Sequence, residues 1–289
     1  MTGEKKINQS SIAHSFSRAA QRYDAAAILQ QEIGRRLIER LDFVKINVKT
    51  IMDLGASTGY FIQPLNERYT DTKILAVDIA EGMLRYTQGR ADSSEQVDFV
   101  CANAQYLPFA SKTVDLVFSN LMLQWCPDVI MVFKEVQRVL KPGGLFIFST
   151  LGPDTLHELR NSWSQVDAYQ HVNQFVDMHD LGDALLVGGL QDPVMDMEYM
   201  TVTYSKVDGL LRDLRDLGAN QVVGNRRLGL LGRGHYQAFL QAYECFRDEN
   251  GLLPATYEII YGHAWGAEEN ETSIFIRDIR RAVPPPLRG

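Results

Sequence analysis

Asp53-Leu54-Gly55-Ala56-Ser57-Thr58-Gly59 joins a short apolar run, Thr50-Ile51-Met52, to a stretch of helical pattern. The run reads as a strand that ends in a glycine-bearing turn. Glycines at such a turn let the backbone pass close to a ligand. Asp78 stands at the end of the next apolar run, Lys73-Ile74-Leu75-Ala76-Val77. A carboxylate there can accept hydrogen bonds from both hydroxyls of a ribose and fix a nucleoside at the carboxyl edge of a sheet. A dinucleotide site is disfavoured, because its G-x-G-x-x-G pattern needs a glycine three residues after the second. Here Gly55 and Gly59 have Ser57 between them.

Outward from this loop, short apolar runs alternate with helical segments. Strands are expected over Val97–Cys101, Val114–Ser119 and Leu145–Thr150, with a helix over Val129–Leu140 stopped by Lys141-Pro142-Gly143-Gly144. This alternation predicts an α/β fold, doubly wound around a mostly parallel sheet. Before it, Ile12, Phe16, Ala19, Ala20 and Tyr23 recur at helical spacing, with Ser10-Ser11 as a candidate N-cap. A second helix carries Ile28, Leu29, Ile33, Leu37 and Leu41 on one face. Later come a helix over Asp180–Val187, a strand over Asp196–Tyr204, helices bearing Val207 to Leu217 and Tyr236 to Phe246, and a last strand over Thr256–Tyr261. The expected organisation is an N-terminal helical lid (1–44), a core (45–204 and 254–276), a helical insertion (205–253) and a tail (277–289).

The 289 residues carry a formal net charge of -7, and 45% are hydrophobic, enough to bury a real core. The acidic balance argues against duplex nucleic acid as a partner, which needs a basic face. Cys101, Cys126 and Cys245 form no C-x-x-C pair and read as reduced, packed thiols of a cytoplasmic protein. The polar start MTGEKKINQSS has no apolar stretch of a secretory signal, and no run approaches the ~18 apolar residues of a membrane span.

Four segments resemble the class I S-adenosylmethionine-dependent methyltransferases. Asp53 to Gly59 is similar to their D-x-G-x-G-x-G loop, with Ser57 at the middle glycine. Asp78-Ile79-Ala80-Glu81-Gly82-Met83-Leu84 resembles D-x-S-x-x-M-L. Ala102-Asn103-Ala104-Gln105-Tyr106-Leu107-Pro108-Phe109 resembles G-D-A-x-x-L-P-F, with Asn103 for the acid. Arg138 to Gly144 resembles R-x-L-K-P-G-G. The resemblance implies S-adenosylmethionine as cofactor, held by Asp53, Gly55, Ala56, Ser57, Gly59, Asp78, Ile79, Met83, Asn103, Ala104 and Asn120, with the Asn103 amide offered to the adenine. The Ser57 and Asn103 departures put cofactor affinity in question but are sterically small.

Ile12 to Tyr23, Ser119 to Cys126, Gly152 to Arg160 and Pro254 to Trp265 resemble, nearly end to end, the BioC-type malonyl-acyl-carrier-protein O-methyltransferases of biotin synthesis. A related group, the mitochondrial complex I assembly factors thought to hydroxylate an arginine, shares some of these segments and is the alternative. A cofactor-fold interaction protein without catalysis is another. Gln124-Trp125-Cys126 and the Gly262-His263-Ala264-Trp265 ending favour the methyltransferase.

The reaction implied is esterification of a malonyl thioester carboxylate, which is ionised at pH 7 and needs no general base. Alignment and desolvation then carry catalysis, so neither a metal nor a catalytic triad is expected. Tyr23, Gln124 and Trp125 are the residues expected closest to the reaction. Arg18, Arg160, Arg226 and Arg227 are candidates to grip the substrate carboxylate. Arg226, Arg227 and Arg233 also suit docking of an acidic acyl carrier protein. His171, His179 and His263 read as hydrogen-bonded structural histidines.

Overall fold

Near-continuous apolar runs such as Ile74–Val77 are the pattern of parallel strands covered on both faces. The computed structural model describes residues 9–90, 96–219 and 232–268. Among these, one sheet holds β1 (Thr50–Leu54), β2 (Lys73–Asp78), β3 (Val97–Cys101), β4 (Val114–Asn120), β5 (Leu140–Leu151), β6 (Gln191–Tyr204) and β7 (Leu253–Trp265). The order is β3-β2-β1-β4-β5-β7-β6. The first five are mutually parallel, and β7 runs antiparallel to both β5 and β6. Chain order reverses between β1 and β4, so the loops leaving these strands part and open a crevice at the carboxyl edge.

Alternation along each strand sends successive side chains to opposite faces. Ile51, Ile74, Leu116 and Ile147 pack with α2 (Ile28–Arg40), α3 (Ile62–Arg68), α6 (His157–Ser164), α8 (Val207–Asp216) and α9 (Arg233–Glu244). Their neighbours Met52, Leu75, Val117 and Phe146 pack with α5 (Val129–Val139) and α7 (Met178–Val187). α1 (Gln9–Ala26) lies instead on α4 (Glu81–Gln88), where Ala19 and Ala20 bury against Ala80 and Met83. The approach is close: Gly82 N–H donates to Ser17 Oγ at 3.1 Å, and a Cβ on Gly82 would lie 2.6 Å from that of Ser17.

Several sequence expectations change. Ser10 and Ser11 lie inside α1, which begins at Gln9, so they do not cap it. Ile28 is 73% exposed and leaves the apolar face of α2 to Ile33, Leu37 and Leu41. α5 ends at Val139 ahead of Lys141 to Gly144, and that segment goes on to open β5, where the Gly143 and Gly266 N–H groups find partners in Gly266 O and Gly144 O at 3.1 and 2.8 Å. The antiparallel partners also lengthen β6 and β7 beyond their apolar cores. Cys101 and Cys245 are exposed rather than packed. α8 and α9 stand between β6 and β7, while the tail, Arg226 and Arg227 lie outside the described residues. No helix among the described residues is long and apolar enough to cross a membrane.

A Cβ on Gly34 would fall 2.0 Å from the Phe61 ring that fills the joint between α2 and α3. Gly34→Ala should therefore overpack this joint and lower unfolding stability by about 1–3 kcal/mol, read from urea denaturation.

Candidate active site

The loop after β1 turns back on the end of β2. Gly55 and Ala56 N–H groups both donate to Val77 O, at 2.8 and 3.0 Å. Three of its residues have left-handed backbones: Gly55 (φ 87), Ser57 (φ 49) and Gly59 (φ 70). Glycine takes such angles without a steric cost, and small polar residues tolerate them. A Cβ on Gly55 would also meet Met122 at 2.6 Å. The Ser57 turn aims its N–H at Asp78 Oδ2 (2.9 Å), while Ala80 N–H donates to Oδ1 (2.7 Å). Burial raises the Asp78 carboxyl above its ordinary range, opposed by these N–H groups. Ser57 Oγ also contacts Met83 Sδ at 3.7 Å.

These residues open on a cavity of about 1470 Å³, counting space continuous with solvent at its mouth. One half is lined by Ser57, Asp78, Ile79, Met83, Asn103 and Ala104. Beside it a smaller cavity is lined by Asp53, Gly55, Ala56, Ser57 and Gln30. Asp53 Oδ2 and Gln30 Oε1 are buried there without a hydrogen-bond partner. Burial, and then repulsion from Asp78, push the Asp53 carboxyl up to about 7.

α1 covers both spaces. Asp24 accepts from Thr58 Oγ1 at 2.5 Å and from Arg90 at 2.6 Å, which ties the helix end to the glycine loop. Tyr23 lines both cavities, and burial pushes its hydroxyl up to about 12. Phe16 meets Trp125 edge to face, with centroids 5.2 Å apart. Gln9 and Asn103 exchange amide hydrogen bonds, the shorter at 2.8 Å, so the Asn103 amide is turned toward α1 as well as the cavity.

Asn120, Gln124 and Trp125 all line the main cavity, on the loop that leaves β4. Two of them are braced from behind. Asn120 donates to Gln30 O (3.0 Å) and accepts from Ser149 Oγ (2.7 Å). Gln124 donates to Leu121 O (2.6 Å) and accepts from Thr150 Oγ1 (3.2 Å). Gln124 thereby holds Leu121 in its left-handed backbone, φ 51.

The other half of the cavity is apolar. Leu156, Leu159, Val172, Phe175, Leu214 and Tyr257 contribute to its wall. The arginine expectations need correction here. Arg18 points to solvent from α1. Arg160 donates to Pro153 O and Thr155 O, both at 2.9 Å, because its guanidinium satisfies the carbonyls of the turn that precedes α6. Neither lines the cavity. Among the histidines, His179 accompanies the Asp177 cap of α7 and His263 is half-buried on β7, whereas His171 lines the cavity. Sequence reading missed Gln9, Gln30 and Asp24, whose roles depend on where α1 and α2 dock. Among the described residues no group of three His, Cys, Asp or Glu is placed to hold a metal.

The fold and this edge site are those of a methyltransferase. The Methyltransferase domain family matches residues 52–148. A malonyl-[acyl-carrier protein] O-methyltransferase of Methylovorus sp. is 46% identical over 265 residues, covering 90% of this chain and 89% of its own. Another so named, from Nitrosospira multiformis, is 43% identical and covers 96% and 95%. The chain belongs to the family of malonyl-[acyl-carrier protein] O-methyltransferases. Phosphoethanolamine N-methyltransferase 2 of Haemonchus contortus, solved with S-adenosyl-L-methionine, shares the fold at a TM-score of 0.52 and 16% identity, over 81% of this chain and 52% of that one. These relatives give the hydroxylase and interaction-protein alternatives no support.

S-adenosylmethionine is the cofactor of this class, and the residues present fit it. Asp78 offers acceptors to ribose hydroxyls, and the orphaned oxygens of Asp53 and Gln30 suit an ammonium donor. Asp78→Ala should weaken binding of S-adenosylhomocysteine by ~1.5–3 kcal/mol in calorimetry, the worth of a charge-assisted hydrogen bond. Asp53 has a second consequence, in the unliganded protein. Its folded carboxyl keeps a proton up to about pH 7, whereas in the unfolded chain the proton is lost near the ordinary value of 3.8. The folded state thus binds more protons in this window, and stability falls as pH rises from about 4 to about 7. Asp53→Asn should flatten that slope in denaturation series run without cofactor.

Proposed function

We propose that this chain transfers a methyl group from S-adenosylmethionine to the free carboxylate of a malonyl group on acyl carrier protein, a step of biotin precursor synthesis. The observation that carries this reading is the cavity itself. It runs from the Asp78 carboxylate into an apolar arm walled by Leu156, Leu159 and Tyr257. Those residues fall in Gly152–Arg160 and Pro254–Trp265, two of the segments that carry the resemblance to malonyl-acyl-carrier-protein O-methyltransferases. The 46% identical relative with this activity in its name points the same way.

When bound, the cofactor would supply a methyl group on a positively charged sulfur, which a substrate carboxylate oxygen can accept. No proton moves, since the carboxylate has a reference pKa of ~4 and is already ionised. The protein's task is placement and water exclusion. Asp78 and the glycine loop fix the nucleoside, with Ile79, Met83, Asn103 and Ala104 around it. Asn120, Gln124 and Trp125 form the floor between the cofactor half and the acyl half. Tyr23 stays protonated at neutral pH, so it acts as a donor and a cover rather than a base. α1 is the lid: Ser17, Asp24 and Phe16 tie it to α4, the glycine loop and Trp125 respectively. Well-oriented reactants in a closed site can gain roughly 7–11 kcal/mol of the barrier.

The acyl chain enters past α8, whose Leu214 lines the arm. Arg233, at the start of α9, and Arg226 and Arg227 before it suit the rim of a docking surface for an acidic carrier, working in the cytoplasm. The test is transfer from labelled cofactor to malonyl-carrier protein, run beside malonyl-CoA and free malonate. The carrier-bound malonyl group should be esterified, and EDTA should leave the rate intact. Absence of labelled ester from a folded protein that binds S-adenosylhomocysteine would overturn the reading, and a reaction that appears only with added Fe(II) would point to hydroxylation instead.

A further inference from the structure

The apolar arm must receive an anion, yet among the described residues that line the cavity there is no lysine or arginine. The described lining side chain that can carry positive charge is His171. It sits in the loop between α6 and α7. Its ring lies on the indole of Trp163, with centroids 3.9 Å apart and planes 6° from parallel. Trp163 stacks in turn on Phe239 of α9, at 4.1 Å and 7°. His171 Nε2 is 2.9 Å from Asp167 Oδ1. Its Nδ1 has no protein hydrogen-bond partner among the described residues.

We propose that His171, braced by Asp167, reads the free carboxylate of the acyl substrate and so determines specificity for the unesterified acid. The proposal rests on the methyl-transfer reading above. Asp167 takes the hydrogen bond of the Nε2 proton and fixes which nitrogen is left for a ligand. The doubly protonated ring then donates one N–H to Asp167 and the other to a substrate oxygen. The Trp163 face attracts the cationic ring, and the stack keeps it from turning. With one carboxylate oxygen held, the other attacks: a C–O bond forms, the C–S bond breaks with its electron pair going to sulfur, and His171 keeps its proton. Methylation removes the negative charge. The product therefore loses the ionic hydrogen bond, which favours its release and blocks a second round of binding.

A ring that only packs against Trp163 can be replaced by another flat ring, which gives the test. His171→Phe retains the stack and removes the donor. Calorimetry on the full-length protein with S-adenosylhomocysteine bound compares malonyl-CoA with its methyl ester. The wild type should prefer the acid by about tenfold or more, the worth of a hydrogen bond to a charged group. In His171→Phe that preference should collapse toward unity, with ester affinity and S-adenosylhomocysteine affinity changed less than about twofold. KM for malonyl-carrier protein should rise more than kcat falls. Should His171→Phe fail to fold, His171→Gln asks the same question, with the same expected fall. An unchanged preference, or an equal loss for acid and ester, overturns the proposal; so does a preference that disappears only in the Arg226→Gln, Arg227→Gln double variant. A wild type that binds S-adenosylhomocysteine but neither esterifies malonyl-carrier protein nor separates acid from ester overturns the methyl-transfer reading itself.

Discussion

Two carboxylates, the buried Asp53 and the partly buried Asp78, lie at the ends of neighbouring parallel strands, and the carboxyl edge is organised around them. Register brings them together: Leu54 pairs with Val77, so Asp53 and Asp78 flank the same rung of the ladder. Buried like charges oppose each other, and desolvation adds to the cost. The backbone answers only for Asp78, through the N–H groups of Ser57 and Ala80. That answer requires the left-handed backbone at Ser57, with Gly55 and Gly59 on either side. Asp53 Oδ2 is left without a partner. The pair is thus poised for a ligand that brings hydroxyl donors to one acid and positive charge to the other, which describes the cofactor of this family.

α1 turns this edge into a closed site, and it does so by linking both halves. Gln9 bonds Asn103 at one end of the helix, and Asp24 bonds Thr58 at the other. Between them Ser15 Oγ donates to Gly218 O (3.1 Å), just beyond α8. The helix that covers the cofactor loop is therefore also tied to the segment that walls the acyl arm.

The strands and the glycine loop were readable in the sequence because their causes are local. Ile51, Ile74 and Leu116 alternate with Met52, Leu75 and Val117, and Gly55 to Gly59 lies where a strand must turn. What escaped has distant causes. Lys141-Pro142-Gly143-Gly144 does end α5, but it also becomes strand because Gly143 and Gly144 meet Gly266, just past the end of β7. α6 has just Leu159 and Trp163 as buried apolar anchors and no strong stripe; its Glu158 is held by Thr256, 98 residues away. Arg18 and Arg160 failed for a related reason. Charge alone marks them as anion binders, but Arg160 spends its guanidinium on two carbonyls of its own turn. His171 looks like any structural histidine until the cavity is seen to reach it.

Two of the segments that resemble this family, Gly152–Arg160 and Pro254–Trp265, prove to be one structural unit. Glu258 Oε2 accepts from Asp154 N–H at 2.7 Å, and Glu258 O accepts from Gly152 N–H at 2.9 Å. Glu158 closes the ring from the other side, accepting from Thr256 N–H at 3.1 Å and Thr256 Oγ1 at 2.5 Å. Gly152 has no freedom to vary, since a Cβ there would lie 2.3 Å from Glu258 Cδ. Both acids are nearly fully buried, so losing a partner on either segment would leave a buried charge unsatisfied. Leu156, Leu159 and Tyr257 take their positions from this clasp, not from the glycine loop. The glycine loop and Asp78 thus sit on the parallel strands β1 and β2, while the apolar arm is walled by residues of the turn before α6, of α6 itself and of β7. The Glu158 and Glu258 carboxylates bond within these two segments, whereas Asp78 is held by Ser57 and Ala80, so the wall and the glycine-loop turn are braced separately.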